Sequence, residues 1–145
     1  MVGSGSDEDE LRAETERLGL GERVSFHGRV PHDSVAPYYA RCHAVLCASL
    51  GDYRSLTGFE AVNSGRAVLV SSRDGAADEL AEAAPESVRV ADPLDHAQLV
   101  SALRALADPR TLSSALTAAA TPPHAFSIDA VGENLASAVR VAQRR

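Results

Sequence analysis

The residues best placed to do chemistry lie in one segment, Asp52-Tyr53-Arg54-Ser55-Leu56-Thr57-Gly58-Phe59-Glu60, where two carboxylates are separated by seven residues. The segment follows a short apolar run, Ala44-Val45-Leu46-Cys47-Ala48, and leads into a helical pattern that ends at Gly65. Its loop is therefore expected at the carboxyl end of a strand, where open parallel sheets bind ligands. Backbone N–H groups at the start of the helix, those of Ser55, Leu56 and Thr57, form a ready site for a phosphate. Asp52 and Glu60 cannot hold that phosphate, because an ionised carboxylate only accepts hydrogen bonds. They suit the hydroxyls of a sugar. Arg54, beside the phosphate position, supplies a positive charge. The plainer reading of Asp52 is a turn residue, and that of Glu60 a solvated helix position.

Other constellations are weaker. Asp7-Glu8-Asp9 has the D-x-D spacing of a metal site, but it opens a helix, where acids favour the macrodipole. His27, His32, His43, His96 and His124 are scattered, so no metal is expected. No G-x-S-x-G elbow surrounds Ser49, Ser71 or Ser72, which removes support for a hydrolase. Glu79 reads as a site residue or as surface charge. The Tyr38-Tyr39 pair reads most simply as packing a helix onto a sheet.

The elements that must position these residues alternate in period. A helix is expected from Ser6-Asp7-Glu8-Asp9 toward Gly19, then a short strand over Arg23-Val24-Ser25-Phe26, closed by Gly28 and Pro31. A helix through Val35, Tyr38, Tyr39 and Arg41 follows. The run Ala44–Ala48 reads as a strand buried on both faces. Leu56 to Ser64 is helical, Ala67-Val68-Leu69-Val70 a second buried strand, Ala76 to Ala84 helical, and Ser87-Val88-Arg89-Val90 a third strand. Asp95 caps a helix bearing Leu99, Leu103 and Leu106. Beyond Pro109 the chain reads as helical, broken at Pro122-Pro123, with Ile128, Val131, Leu135 and Val139 as a last apolar stripe. Strands alternating with helices imply an α/β, Rossmann-like parallel sheet with helices on both faces. The opening Met1-Val2-Gly3-Ser4-Gly5 reads as a strand end and glycine turn, so the first strand and helix of the fold are expected to be missing.

Composition narrows the function. The 145 residues, 45% hydrophobic and 23% charged, match an ordinary globular domain. A net charge of −6 argues against nucleic acid as a partner. All basic residues are Arg, and without Lys there is no Schiff-base chemistry and no Walker-type phosphate lysine. No apolar run reaches the length of a transmembrane span. Cys42 and Cys47 form no disulfide framework, so a cytoplasmic setting is expected.

The segment Asp52-x7-Glu60, with Ala61 and Gly65 after it, resembles the E-x7-E segment of retaining GT-B-fold glycosyltransferases (glycosyltransferase family 4, group 1). Other pieces resemble that family in order. These are the glycine turn Met1–Gly5, the strand and turn Val24-Ser25-Phe26-His27-Gly28-Arg29-Val30, and the helix end Tyr38-Tyr39-Ala40-Arg41-Cys42-His43. They continue with the turn Gly75-Ala76-Ala77-Asp78-Glu79-Leu80, the closing strand Ala91-Asp92-Pro93 and the helix from Asp95 to Pro109. Ser55 stands where the family usually has Gly.

The resemblance implies the C-terminal, nucleotide-sugar-binding half of a GT-B fold, at residues 1–109, with a helical extension over 110–145 packing on it. It gives Asp52 and Glu60 the catalytic carboxylate positions, Asp52 toward the donor sugar and Glu60 toward the ribose. It gives nucleotide binding to Gly3, Gly5, Arg29, Val30, Ser55, Leu56, Thr57 and Glu60, with Arg29 and Val30 at the base; Arg54, beside the phosphate position, is expected to compensate in part for the family's diphosphate-neutralising Arg and Lys, which lie upstream of the equivalent of Met1. The implied reaction transfers a sugar from a nucleotide-diphosphate sugar to an acceptor with retention. No metal or other cofactor is implied; the nucleotide sugar is a substrate. The implied partner is an N-terminal acceptor domain, and the implied location cytoplasmic, with a peripheral place at the inner membrane face as a variant. Two alternatives stay open: a non-catalytic remnant or nucleotide-binding module of the same fold, and an α/β interaction domain with no nucleotide ligand.

Overall fold

The structure, a computed structural model, describes residues 1–127, 129, 130 and 133. The expected stripe of Ile128, Val131, Leu135 and Val139 lies outside the described residues. The chain forms two compact units, Met1–Pro37 and Tyr38–Arg145.

In the first unit, helix α1 (Glu8–Arg17) opens on Asp7 and carries Glu8, Asp9 and Glu10 in its first turn. Those acids face the positive end of the helix dipole, and Arg17 sits in the last turn. Neither Ser6 nor Asp7 caps the helix with its side chain: the Ser6 hydroxyl donates to Asp7 instead, 2.6 Å away. The strand expected over Arg23–Phe26 is not a member of the sheet. That stretch runs extended beside the chain start, where the Met1 amino group donates to the Ser25 carbonyl and the His27 N–H donates to the Met1 carbonyl. This alternation is that of a parallel ladder, and it is too short to form a regular strand. Gly28, at φ +63°, turns the chain away.

The second unit holds a three-stranded parallel sheet in the order β1-β2-β3, with β1 at Ala44–Cys47, β2 at Ala67–Ser71 and β3 at Val88–Ala91. Val45 pairs with Val68, and Val70 pairs with Val90. Parallel neighbours require crossovers. Helix α3 (Leu56–Asn63) links β1 to β2, and α4 (Ala77–Ala83) links β2 to β3. Helices α5 (His96–Ala107) and α6 (Pro109–Ala119) follow, while α2 (Ala36–Arg41) precedes β1.

Central strand β2 is buried along its whole length, as its apolar run predicts. Its alternate residues divide the core. Ala67 and Leu69 pack with Ala91, Leu106 and Ala115, which seats α5 and α6 on one face of the sheet. Asp95 and Asp108 start those helices by accepting N–H bonds from Gln98 at 3.0 Å and from Thr111 at 2.9 Å. Strand β1, expected to be buried on both faces, is not: it lies at an edge of the sheet and leaves Leu46 50% exposed. An apolar run marks a strand's potential for burial, and here the described residues cover only part of it.

Helix α3 ends in a Schellman turn. The Gly65 N–H donates to Val62 and the Arg66 N–H to Ala61, both at 3.0 Å, with Gly65 at φ +70°. This fixes where the helix stops, and hence which of its turns faces the carboxyl ends of the strands.

Candidate functional site

The β1–α3 loop leaves the sheet at its carboxyl edge and is tied to the β2–α4 loop beside it. Asp52 and Asp74 form a parallel bridge, in which the Gly75 N–H donates to the Asp52 carbonyl at 2.9 Å. The loops approach so closely that a Cβ on Gly75 would stand 2.0 Å from the Tyr53 carbonyl oxygen. Glycine is required there by contact.

Asp74, 4% exposed, fastens the two loops. Its Oδ1 accepts from the Ser55 N–H at 3.2 Å and from the Ala76 N–H at 2.9 Å. Burial pushes its carboxyl up, but hydrogen bonding from Ser55 and Ala76 outweighs that and holds it below the usual aspartate range. Asp74 is thus an anion beneath the start of α3. The sequence reading did not single it out. Asp74-Gly75 after a buried strand is a recognisable turn signal, but nothing local says that the carboxylate crosses to Ser55.

Ser55 is the N-cap of α3, with φ −67° and ψ 131°, an extended conformation that does not require glycine. Its N–H is engaged by Asp74, so Leu56 and Thr57 are the rim positions that open the helix itself. No side chain caps α3 among the described residues. The first-turn N–H groups of such a helix have no intrahelical acceptor, and they carry the positive end of its dipole.

Asp52 is exposed, and one of its oxygens accepts from the Arg54 N–H at 3.0 Å. It therefore does serve the turn. Arg54 extends across to α4, where its guanidinium grips Glu79 with contacts of 2.7 and 2.8 Å. The same guanidinium lies 4.3 Å from the centre of the Phe59 ring, and Phe59 packs edge-on against Phe126 at 4.9 Å. Glu79 is accounted for as the partner of Arg54.

Glu60 lies one turn into α3, half-buried, and its Oε2 accepts a hydrogen bond from the Tyr39 hydroxyl at 2.7 Å. Tyr39, on α2, is 8% exposed. Burial, then the hydrogen bond to Glu60 and its charge, push the phenol above its ordinary range, while Thr57 pulls the other way. The phenol therefore stays protonated and donates. The expected packing role of Tyr39 is only part of what it does, and no sequence signal joins two residues on different helices.

Burial, reinforced by Asp74 and Asp52, pushes the Cys47 thiol up to about 11. The thiol is neutral at ordinary pH and no nucleophile. Among the described residues no three His, Cys, Asp or Glu side chains are grouped to hold a metal ion.

The second unit thus brings together Asp52, Arg54, Ser55, Leu56, Thr57 and Glu60. Gly3, Gly5, Arg29 and Val30 belong to the first unit. There Gly3, at φ +123°, donates its N–H to the Gly28 carbonyl at 2.8 Å, and Arg29 is exposed. A cavity of about 330 Å³ beside this turn is lined by Gly3, Gly5, Asp7 and Glu8, among others.

The second unit is thus a parallel α/β sheet with an uncapped helix start beside its carboxyl edge and a carboxylate one turn inside that helix. The chain belongs to the family described as Glycosyl transferases group 1, whose model matches residues 1–108. Among solved structures, it is similar to sucrose-phosphate synthase from Thermosynechococcus elongatus, at 25% identity and TM-score 0.72 over 99% of this chain and 38% of that one. It also shares its fold with WaaG, a glycosyltransferase involved in lipopolysaccharide biosynthesis, at 23% identity and TM-score 0.68 over 86% of this chain and 32% of that one. Anabaena HepE, solved in complex with UDP, matches at 22% identity and TM-score 0.75 over 97% of this chain and 40% of that one. The chain therefore spans well under half the length of these proteins. No curated protein matches its sequence. Among the described residues no helix is long and apolar enough to cross a membrane.

Proposed function

We propose that this chain is the nucleotide-sugar-binding part of a retaining glycosyltransferase. The observation that carries the reading is the uncapped start of α3 with Glu60 one turn inside it, its carboxylate held by Tyr39. A diphosphate would take the N–H groups of Leu56 and Thr57, and the ribose diol would donate to Glu60. Asp52, exposed at the loop, would accept from a hydroxyl of the donor sugar. Membership of the glycosyltransferase family and the UDP bound in the structural relative HepE support the choice of ligand.

In the reaction, the bond between the anomeric carbon and the distal phosphate oxygen breaks, the acceptor oxygen bonds to that carbon from the same face, and its proton passes to the departing phosphate oxygen. The departing diphosphate gains negative charge. Oriented N–H groups stabilise such charge without reorganising, so the α3 rim would lower the barrier as well as bind. No metal enters this scheme, and chelation is expected to leave nucleotide affinity unchanged. Gly3, Gly5, Arg29 and Val30 complete the proposal, the latter two toward the base. The acceptor site would come from a second, N-terminal domain, and the two free thiols suit a cytoplasmic protein, free or peripheral at the inner membrane face.

Calorimetric titration with UDP, ADP and GDP tests the reading. Saturable binding of one of them, weakened about tenfold or more by Glu60→Gln, is expected, since hydrogen bonds to charged groups are worth roughly 1.5–3 kcal/mol. Failure of all three to bind would leave an α/β module without a nucleotide.

A further inference from the structure

The Tyr39–Glu60 contact has more to it than a buried hydroxyl finding an acceptor. Glu60 is a long side chain whose ordering costs conformational entropy. Tyr39 is 8% exposed and anchored on a different helix, and its hydroxyl meets Oε2 at 2.7 Å. One hydroxyl on α2 thus holds the residue at the expected sugar site.

We infer that Tyr39 is a positioning residue, which fixes the Glu60 carboxylate so that it selects ligands by their vicinal sugar diol. This rests on the reading of Glu60 as the ribose acceptor. Preorganisation of this kind raises affinity by removing the ordering cost from the binding step. Its signature is selective: only ligands that use Glu60 should notice the loss of the Tyr39 hydroxyl.

The experiment titrates the chain with whichever of UDP, ADP and GDP binds most tightly, and with its 2′,3′-dideoxy counterpart. Wild type, Tyr39→Phe, Glu60→Gln and the double variant are compared. Wild type is expected to prefer the diol by about tenfold or more, the scale of a charge-assisted hydrogen bond. Tyr39→Phe should lose most of that preference while binding the dideoxy ligand as wild type does. In the Glu60→Gln background, Tyr39→Phe should change nothing further.

A Tyr39→Phe variant that keeps the wild-type preference overturns the inference and leaves the Glu60 reading standing. A variant that binds the diol ligand more tightly also overturns it, because Tyr39 then competes with the ligand. Wild type without any diol preference overturns the Glu60 reading itself, and the inference with it. Should Tyr39→Phe not fold, carbon-13 labelling of the three tyrosines gives a readout in the native chain. The Tyr39 ring resonance should move with the diol ligand and stay put with the dideoxy ligand; equal responses overturn the inference.

Discussion

At Arg54 two demands meet on one side chain. Its guanidinium is a fixed cation beside the α3 start, yet Glu79 already balances it at 2.7 Å. Both side chains are close to half exposed, and pairs of that kind contribute only about 0–1 kcal/mol to stability. A diphosphate can therefore draw on Arg54 without a large structural penalty. Arg54→Ala is expected to weaken nucleoside-diphosphate binding several-fold while leaving nucleoside binding unchanged, as calorimetry with the diphosphate that binds and its parent nucleoside would register. Equal losses for both ligands would mean that Arg54 acts through loop structure alone. Asp52 shows how far residue types carry: its exposed carboxylate suits a sugar, but one oxygen is committed to the Arg54 N–H. Sequence spacing found the carboxylate and could not see that commitment.

The loops and helices explain why the rim holds its shape. Asp74 and Gly75 staple the β1–α3 and β2–α4 loops, and the two glycines nearby differ in what crowds them. A methyl group at Gly75 meets a backbone oxygen at 2.0 Å, whereas one at Gly58 meets the end of the Leu80 side chain at 2.6 Å. Gly75→Ala should therefore cost about 1–3 kcal/mol, as overpacking does, and weaken nucleotide binding as the loops separate. Gly58→Ala should cost less, because Leu80 can rotate and alanine gains about 1 kcal/mol over glycine in a helix. Thermal melts of the two variants check the order.

Acid tests the same staple. Asp74 has a folded pKa below its unfolded value, so its contribution is present above the unfolded value. It is lost as pH falls through the folded one. Stability should decline in that acid range, and Asp74→Asn should flatten the decline; an unchanged acid limb would discount the staple. The helix starts at Asp95 and the buried β2 run were legible in sequence, because caps and apolar runs are local signals. The stretch Arg23–Phe26 reads as a strand in sequence because composition reports strand potential. Whether a full partner exists to pair with is a tertiary matter.

On the scale of the molecule, the fold was legible because alternating strands and helices leave few topologies open, and the right-handed crossover rule prunes the rest. The site was legible only in outline. Its carboxylate and helix start lie within one segment, while Tyr39 and Asp74 reach it from elsewhere in the chain, 21 and 19 residues from their respective partners Glu60 and Ser55. A ligand that binds only the folded state stabilises it by about 2.7 kcal/mol at a hundredfold excess over its Kd. Whichever of UDP, ADP and GDP binds should therefore, at that excess, raise the melting temperature of wild type by several degrees and shift Glu60→Gln much less.

The most direct measurement is a crystal structure of the chain with a nucleoside diphosphate bound. It should show phosphate oxygens on the Leu56 and Thr57 N–H groups and both ribose hydroxyls on Glu60, with Tyr39 still donating to that carboxylate. A nucleotide seated elsewhere, or a Glu60 that touches no part of it, would contradict the account.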